Sequence, residues 1–167
     1  MDGSVNFYRA WDQYKKGFGS AAGEYWLGLE SLYHLTRRSV ELRVDMEDFS
    51  GNKAFARYSS FSIDPESDGY KLHVSGFTDG GAGDSMRVHN RQKFSTFDKD
   101  QAYNSRLNCA KSFLGAFWYD DCFLANPNGV YRRGEYDTHS GVAVTWNRWK
   151  GQDYSLKTIS MKIRSGK

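Results

Sequence analysis

The sequence predicts an α+β fold, a short twisted antiparallel sheet with flanking helices that carries a loop-rich region. Three observations predict it. Val40, Leu42, Val44 and Met46 alternate strictly with Glu41, Arg43, Asp45 and Glu47, which marks a strand with one wet and one buried face. Phe7, Trp11, Tyr14 and Phe18 recur at four, three and four residues, an aromatic stripe at helical spacing. Phe94 to Cys122, in contrast, gathers both cysteines, four acidic residues and a dense aromatic cluster with no regular period.

Taken in order, the first helix is expected to run to about Lys16 and to stop at Gly17 and Gly19, with its stripe in the core. Glu24 to Leu29 reads as a buried strand leading into a second helix, Ser31 to Arg37, with Ser31 as N-cap. The alternating strand at Val40 turns at Ser50-Gly51-Asn52 and pairs with Ala54 to Ser62 as a hairpin. Asp64 to Gly69 is a further turn, feeding a strand at Tyr70, Leu72 and Val74 with His73 on the solvent side. The texture changes past Phe77, where Gly80, Gly81 and Gly83 form a connector. That run lacks the Gly-Lys-Ser/Thr ending of a phosphate loop. The expected division is therefore a sheet subdomain at 1–77 plus 154–167, with a loop-rich ligand and calcium subdomain at 78–153. Val142, Val144 and Trp146 read as a strand, and Tyr154 to Arg164 as a closing strand that returns to the sheet.

Composition narrows the class. With 167 residues, 16% aromatics and two prolines, the chain suffices for one domain with a real core, and disorder is excluded. No apolar run is long enough to span a membrane. The formal charge of +3 is uneven: from Tyr131 onward Arg132, Arg133, Arg148, Lys150, Lys157, Lys162, Arg164 and Lys167 outnumber Glu135, Asp137 and Asp153. This suits a solvated surface or an anionic partner such as a sulfated glycan. Basic and aromatic residues are present without any nucleic-acid module, so no nucleic-acid partner is expected.

Oxygen ligands concentrate at Asp98 and Asp100, spaced Asp-x-Asp in a polar run with Gln101, Asn104 and Ser105. Hard cations, calcium first, suit such a loop. It is not an EF-hand, because Ala102 and Tyr103 stand where Asp or Asn and then Gly are required. Cys109 and Cys122 read either as two free thiols or as a bridge, which would contribute roughly 3 kcal/mol by closing a short loop. Cys122 with His139 or His89 as nucleophile and base, and carboxylate pairs drawn from Asp98, Asp100, Asp120, Asp121 and Asp137, are the enzyme readings. Neither has a supporting loop or a known separation. Trp118, Tyr119, Phe123 and Tyr131 sit near turns and suit a shallow pocket for a sugar or an acetyl methyl group.

At these residues the sequence resembles the fibrinogen C-terminal-like (fibrinogen-related) domain family. The phrases DGSVNFYRAWDQYKKGFG, GEYWLGL, ELRVDMEDF, YKLHVSGF, GDSM, KFSTFDKD, NCAKSFLGAFWYDDC, NPNGVY and YSLKTISMKIR occur in family order from Asp2 to Arg164. The resemblance implies a secreted, extracellular, non-enzymatic recognition domain. It would be lectin-like, binding acetylated or anionic glycans in a calcium-supported pocket for innate immune pattern recognition. The alternative it implies is an extracellular-matrix microfibril adaptor with elastin- or collagen-type partners. It further implies a Cys109–Cys122 disulfide, a cis peptide at Asp121-Cys122, and ligand contacts from Asp121, Cys122, Phe123, Tyr131, His139 and Ser140. The family's calcium loop reads Asp-x-Asp-x-Asp. Asp100 matches its second position, while Ala102 stands at the third, so Asp98 and Asp100 are the expected metal pair and weaker calcium binding is implied. Phe123 replaces the family's usual histidine, which makes the pocket more apolar. The family's N-terminal subdomain is expected to be absent, with Met1 an alternative or processed start. A homo-oligomer is expected in the full-length protein, because clustering weak single sites gains avidity.

Overall fold

In the computed structural model, which describes residues 1–137 and 139–166, the aromatic stripe folds as expected but over a shorter helix. Helix α1 (Trp11–Lys16) buries Trp11 and Tyr14, and Gly17 ends it at φ 97°. Strands β1 (Phe18–Gly19) and β2 (Tyr25–Trp26) pair antiparallel. The strand expected over Glu24 to Leu29 is thus reduced to two residues, with Tyr25 and Leu27 exposed.

Helix α2 (Leu29–Leu35) begins earlier than Ser31, which falls inside it. The cause is a close approach: at Gly28, with φ +105°, a Cβ would lie 2.7 Å from the Lys16 carbonyl oxygen. Only glycine lets the end of α1 and the start of α2 meet there.

Strands β3 (Val40–Glu47), β4 (Lys53–Ile63) and β5 (Leu72–Gly80) follow as an antiparallel meander. Leu42, Val44, Ala56 and Leu72 are completely buried on one face, as the alternation predicts. Strand β5 runs through residue 77, so the change of texture in the sequence falls inside a strand.

The remaining elements are short: α3 (Cys109–Phe113), β6 (Ala125–Asn126), β7 (Gly134–Glu135), β8 (Thr145–Trp146), α4 (Asn147–Lys150), β9 (Tyr154–Ser155) and β10 (Thr158–Ser165). Two predicted strands are corrected. Val142 and Val144 are buried but outside β8, which pairs with β6 only at Thr145 and Trp146. The closing strand is two pieces, because β9 pairs with β7 while β10 joins the sheet, giving the order β10-β3-β4-β5. Lys167, counted above in the basic tail, lies outside the described residues.

One continuous core joins the sheet to the irregular half. Trp118 is fully buried, its ring centroid 5.1 Å from that of Phe94 and 6.3 Å from that of Phe61 on β4. Its indole N–H donates to the Tyr70 carbonyl at 2.7 Å. Burying such a ring is worth several methylene equivalents of roughly 0.8 kcal/mol each, which is what anchors a segment with so little regular hydrogen bonding.

Candidate functional site

The site is built around the disulfide loop. Cys109, at the start of α3, and Cys122 are bridged with Cα atoms 5.5 Å apart, which removes the free-thiol reading and with it Cys122 as a nucleophile. Asn108 caps α3 by accepting from the Lys111 N–H at 3.0 Å, and its amide donates to the Phe97 carbonyl at 3.1 Å. One side chain therefore ties the helix to the base of the acidic loop. The peptide bond between Asp121 and Cys122 is cis.

Beyond Cys122 the backbone is held from inside by His89, which is fully buried. Its Nδ1 lies 2.7 Å from the Trp118 carbonyl, and its Nε2 accepts from the Leu124 and Ala125 N–H groups at 3.2 Å each. This set fixes a neutral ring protonated at Nδ1. Burial, partly countered by the Trp118 hydrogen bond, holds the imidazole down to about 4.

Phe123 packs edge-on against Phe113 with centroids 4.9 Å apart, and 5.9 Å from Tyr119. The Tyr119 hydroxyl donates to Asn126 Oδ1 at 2.6 Å, and burial raises its pKa. The Asn126 amide in turn donates to the carbonyls of Gly141 and Ala143 at 3.2 and 3.3 Å. That draws the 139–141 turn across the aromatic pair, where a Cβ on Gly141 would sit 3.0 Å from Phe123 and 3.1 Å from Phe113.

Of the residues expected from the sequence, the structure therefore brings Phe123 beside Cys122 and places the exposed His139 and Ser140 on the turn that crosses it, with Asp121 exposed on the preceding side. Tyr131 belongs elsewhere. Its hydroxyl donates to the Lys157 carbonyl at 3.2 Å, and its ring packs near Phe49 and Gly3. His89, Asn126 and Asn104 were not anticipated as organisers. His89 and Asn104 stand in runs without periodicity, and Asn126 reads as ordinary turn chemistry.

Asp98 and Asp100 are both exposed. Asp98 Oδ1 accepts from the Trp11 N–H at 3.0 Å and the Thr96 hydroxyl at 2.7 Å, so it serves α1, whose own preceding residue, Ala10, provides no side-chain cap. Asp100 Oδ1 accepts from the Ala102 N–H at 3.1 Å. The second oxygen of each carboxylate has no partner among the described residues, and Ala102 is buried and brings no side-chain donor. The side chains offered to a cation are thus two carboxylates alone, oxygen donors of the kind calcium takes but fewer than it usually has. Among the described residues no group of three His, Cys, Asp or Glu converges as a metal site. The loop touches the disulfide directly: the Asn104 amide donates to Asp120 Oδ1, and the Ser105 hydroxyl lies 3.7 Å from Cys122 Sγ. A separate cleft of about 570 Å³ lies at the β10 edge, bordered by Met1, Trp26, Trp118 and Met161, and none of the expected ligand residues line it.

Residues 1–166 match the family described as the C-terminal globular domain of fibrinogen beta and gamma chains. The chain belongs to that family. The fold is similar to the fibrinogen-like globe domain of human ANGPTL6, with a TM-score of 0.97 and 44% identity over 100% of this chain and 75% of that one. Bovine microfibril-associated glycoprotein 4 is 53% identical over 98% of this chain. Human fibrinogen C domain-containing protein 1 is 47% identical over 98% of it. The chain spans 66% of the length of the former and 36% of the latter. No described helix is long and apolar enough to cross a membrane.

Proposed function

We propose that this fibrinogen-type domain is a secreted, non-enzymatic recognition domain that seats an acetylated glycan against the disulfide loop. The observation that supports this reading is the packing of Gly141 on Phe123 and Phe113, which carries His139 and Ser140 to an apolar flank bounded by Asp121 and Cys122. An acetyl methyl group suits the aromatic flank, and exposed polar side chains suit the sugar hydroxyls. Calcium, held by Asp98, Asp100 and loop carbonyls, would order the acidic loop, and the Asn104–Asp120 and Ser105–Cys122 contacts pass that order to the flank. Clustering of such domains in an oligomer would raise the avidity of a shallow site.

Titration of N-acetylglucosamine by calorimetry tests the reading. Heat of binding in calcium that weakens with chelator is expected. Silence in both buffers from folded protein refutes it. A second reading, a matrix adaptor, is favoured by the similarity to a glycoprotein named for its association with microfibrils. Under it, immobilised elastin or collagen captures the domain and N-acetylglucosamine does not compete.

A further inference from the structure

The solvent face of the sheet has a charge pattern that the fold does not require. The register sets Lys162 on β10 opposite Arg43 on β3, and Arg43 opposite Arg57 on β4. Three cations therefore stand side by side across three strands, about 10 Å from end to end. Like charges directly opposed in a sheet destabilise it.

Two carboxylates offset the repulsion, and each is shared. Glu41 meets Arg57 at 2.5 Å with one oxygen and Arg164 at 2.9 Å with the other. Asp45 divides in the same way between Arg43 at 2.9 Å and Lys162 at 3.0 Å. One carboxylate per two cations leaves net positive charge. Arg43 engages its carboxylate through Nε, and Arg57 and Arg164 each through one terminal nitrogen, so guanidinium donors remain for an outside oxyanion. All four cationic side chains are open to solvent, from 44% exposed at Arg57 to 74% at Arg164.

We infer that this face binds a sulfated polysaccharide. The cationic row is too long for a single small anion and matches a chain that repeats its charge. A single-stranded nucleic acid would need rings on which bases stack. Phe55, the aromatic ring on this face beside the row, already carries the Arg43 guanidinium 3.9 Å above it. The face thus offers charge and N–H donors to sulfates and no platform to bases. The site lies on the outer side of the sheet, with the sheet between it and Trp118, and is independent of the flank at Cys122.

The test is a salt gradient on immobilised heparin, with solution titrations at several salt concentrations. The Arg43→Gln/Arg57→Gln/Lys162→Gln variant is expected to elute earlier, to bind about tenfold more weakly at physiological salt, and to lose about three from the salt slope, one per lost contact. Glu41→Gln/Asp45→Asn, which releases the cations, is expected to elute later than wild type. Arg106→Gln/Lys111→Gln, exposed at and just before α3 and not on the sheet, is expected to elute with wild type, and desulfated heparin should not bind. Circular dichroism establishes that each variant is folded, and N-acetylglucosamine binding in the triple variant reads the flank separately. Elution of the triple variant with wild type, earlier elution of the carboxylate variant, or retention of a single-stranded oligonucleotide as strongly as heparin would each overturn the assignment.

Discussion

Between pH 7.5 and 4.5, above the range where the paired carboxylates titrate, acidification should destabilise this domain chiefly through His89. His89 is neutral when folded because burial holds its pKa down to about 4, while the unfolded chain restores it to the ordinary 6.5. Between those values the unfolded state binds a proton that the native state does not, so stability falls as pH falls. The contribution is complete above pH 6.5, is lost progressively towards pH 4, and changes little below that. Taken over that interval the loss is roughly 3 kcal/mol. Asp120 and Asp84 pull the imidazole the other way, though less strongly than burial. Urea denaturation of oxidised protein at half-unit steps from pH 7.5 to 4.5 reads the loss as a falling midpoint at constant m-value. His89→Gln keeps a donor and an acceptor but does not titrate. It should cost about 1–2 kcal/mol at pH 7.5 and lose less on acidification, so the two curves converge. Parallel curves for wild type and variant would falsify the assignment of the titration to His89.

Calcium should raise the thermal midpoint by about 3 °C at tenfold excess over a dissociation constant in the range of about 10⁻⁴–10⁻³ M, and Asp100→Asn should abolish the rise. Equal midpoints in calcium and chelator would remove the ion from the account. Asp98→Ala should cost about 1 kcal/mol even in chelator, because it uncaps α1 at the Trp11 N–H; a denaturation curve in chelator reads this loss apart from any metal effect. Replacing Cys109 and Cys122 by serine should cost about 3 kcal/mol in denaturant and suppress N-acetylglucosamine binding together. Gly28→Ala should destabilise by about 1–3 kcal/mol, since its Cβ would meet Lys16 at 2.7 Å, whereas Gly23→Ala, with nothing within 4 Å, should be near neutral.

The sequence was legible where a single physical demand governs a stretch. Strand β3 alternates because one face is buried and the other wet along its whole length, and β10 shows the same pattern at Ile159, Met161 and Ile163. It was misleading where a distant contact decides a local outcome. Ser31 is a good capping residue, but α2 starts earlier because Gly28 lets two backbones meet. Val142 and Val144 alternate like a strand, yet the Arg132 guanidinium takes the Val142 carbonyl at 2.8 Å and the Asn126 amide takes Ala143, so few groups are left to form a ladder. The Asp-x-Asp spacing reads as a loop of oxygen ligands. It gave no sign that Asp98 also caps a helix 87 residues earlier in the chain.

That cap bears on how the proposed calcium would act. The acidic loop is held to α1 by Asp98, to the Phe97 carbonyl by Asn108, and to the disulfide region by Asn104 at Asp120 and Ser105 at Cys122. The first two anchors bind it to the body of the domain, and the last two reach the proposed ligand flank. Because Asp100 has only the Ala102 N–H as a partner among the described residues, it is the carboxylate whose engagement by an ion would change the loop most. A cation there would act on the flank through Asn104 and Ser105. Asn104→Ala/Ser105→Ala should therefore leave calcium binding near its wild-type strength while removing the calcium dependence of glycan binding, which no loss of a metal ligand would do.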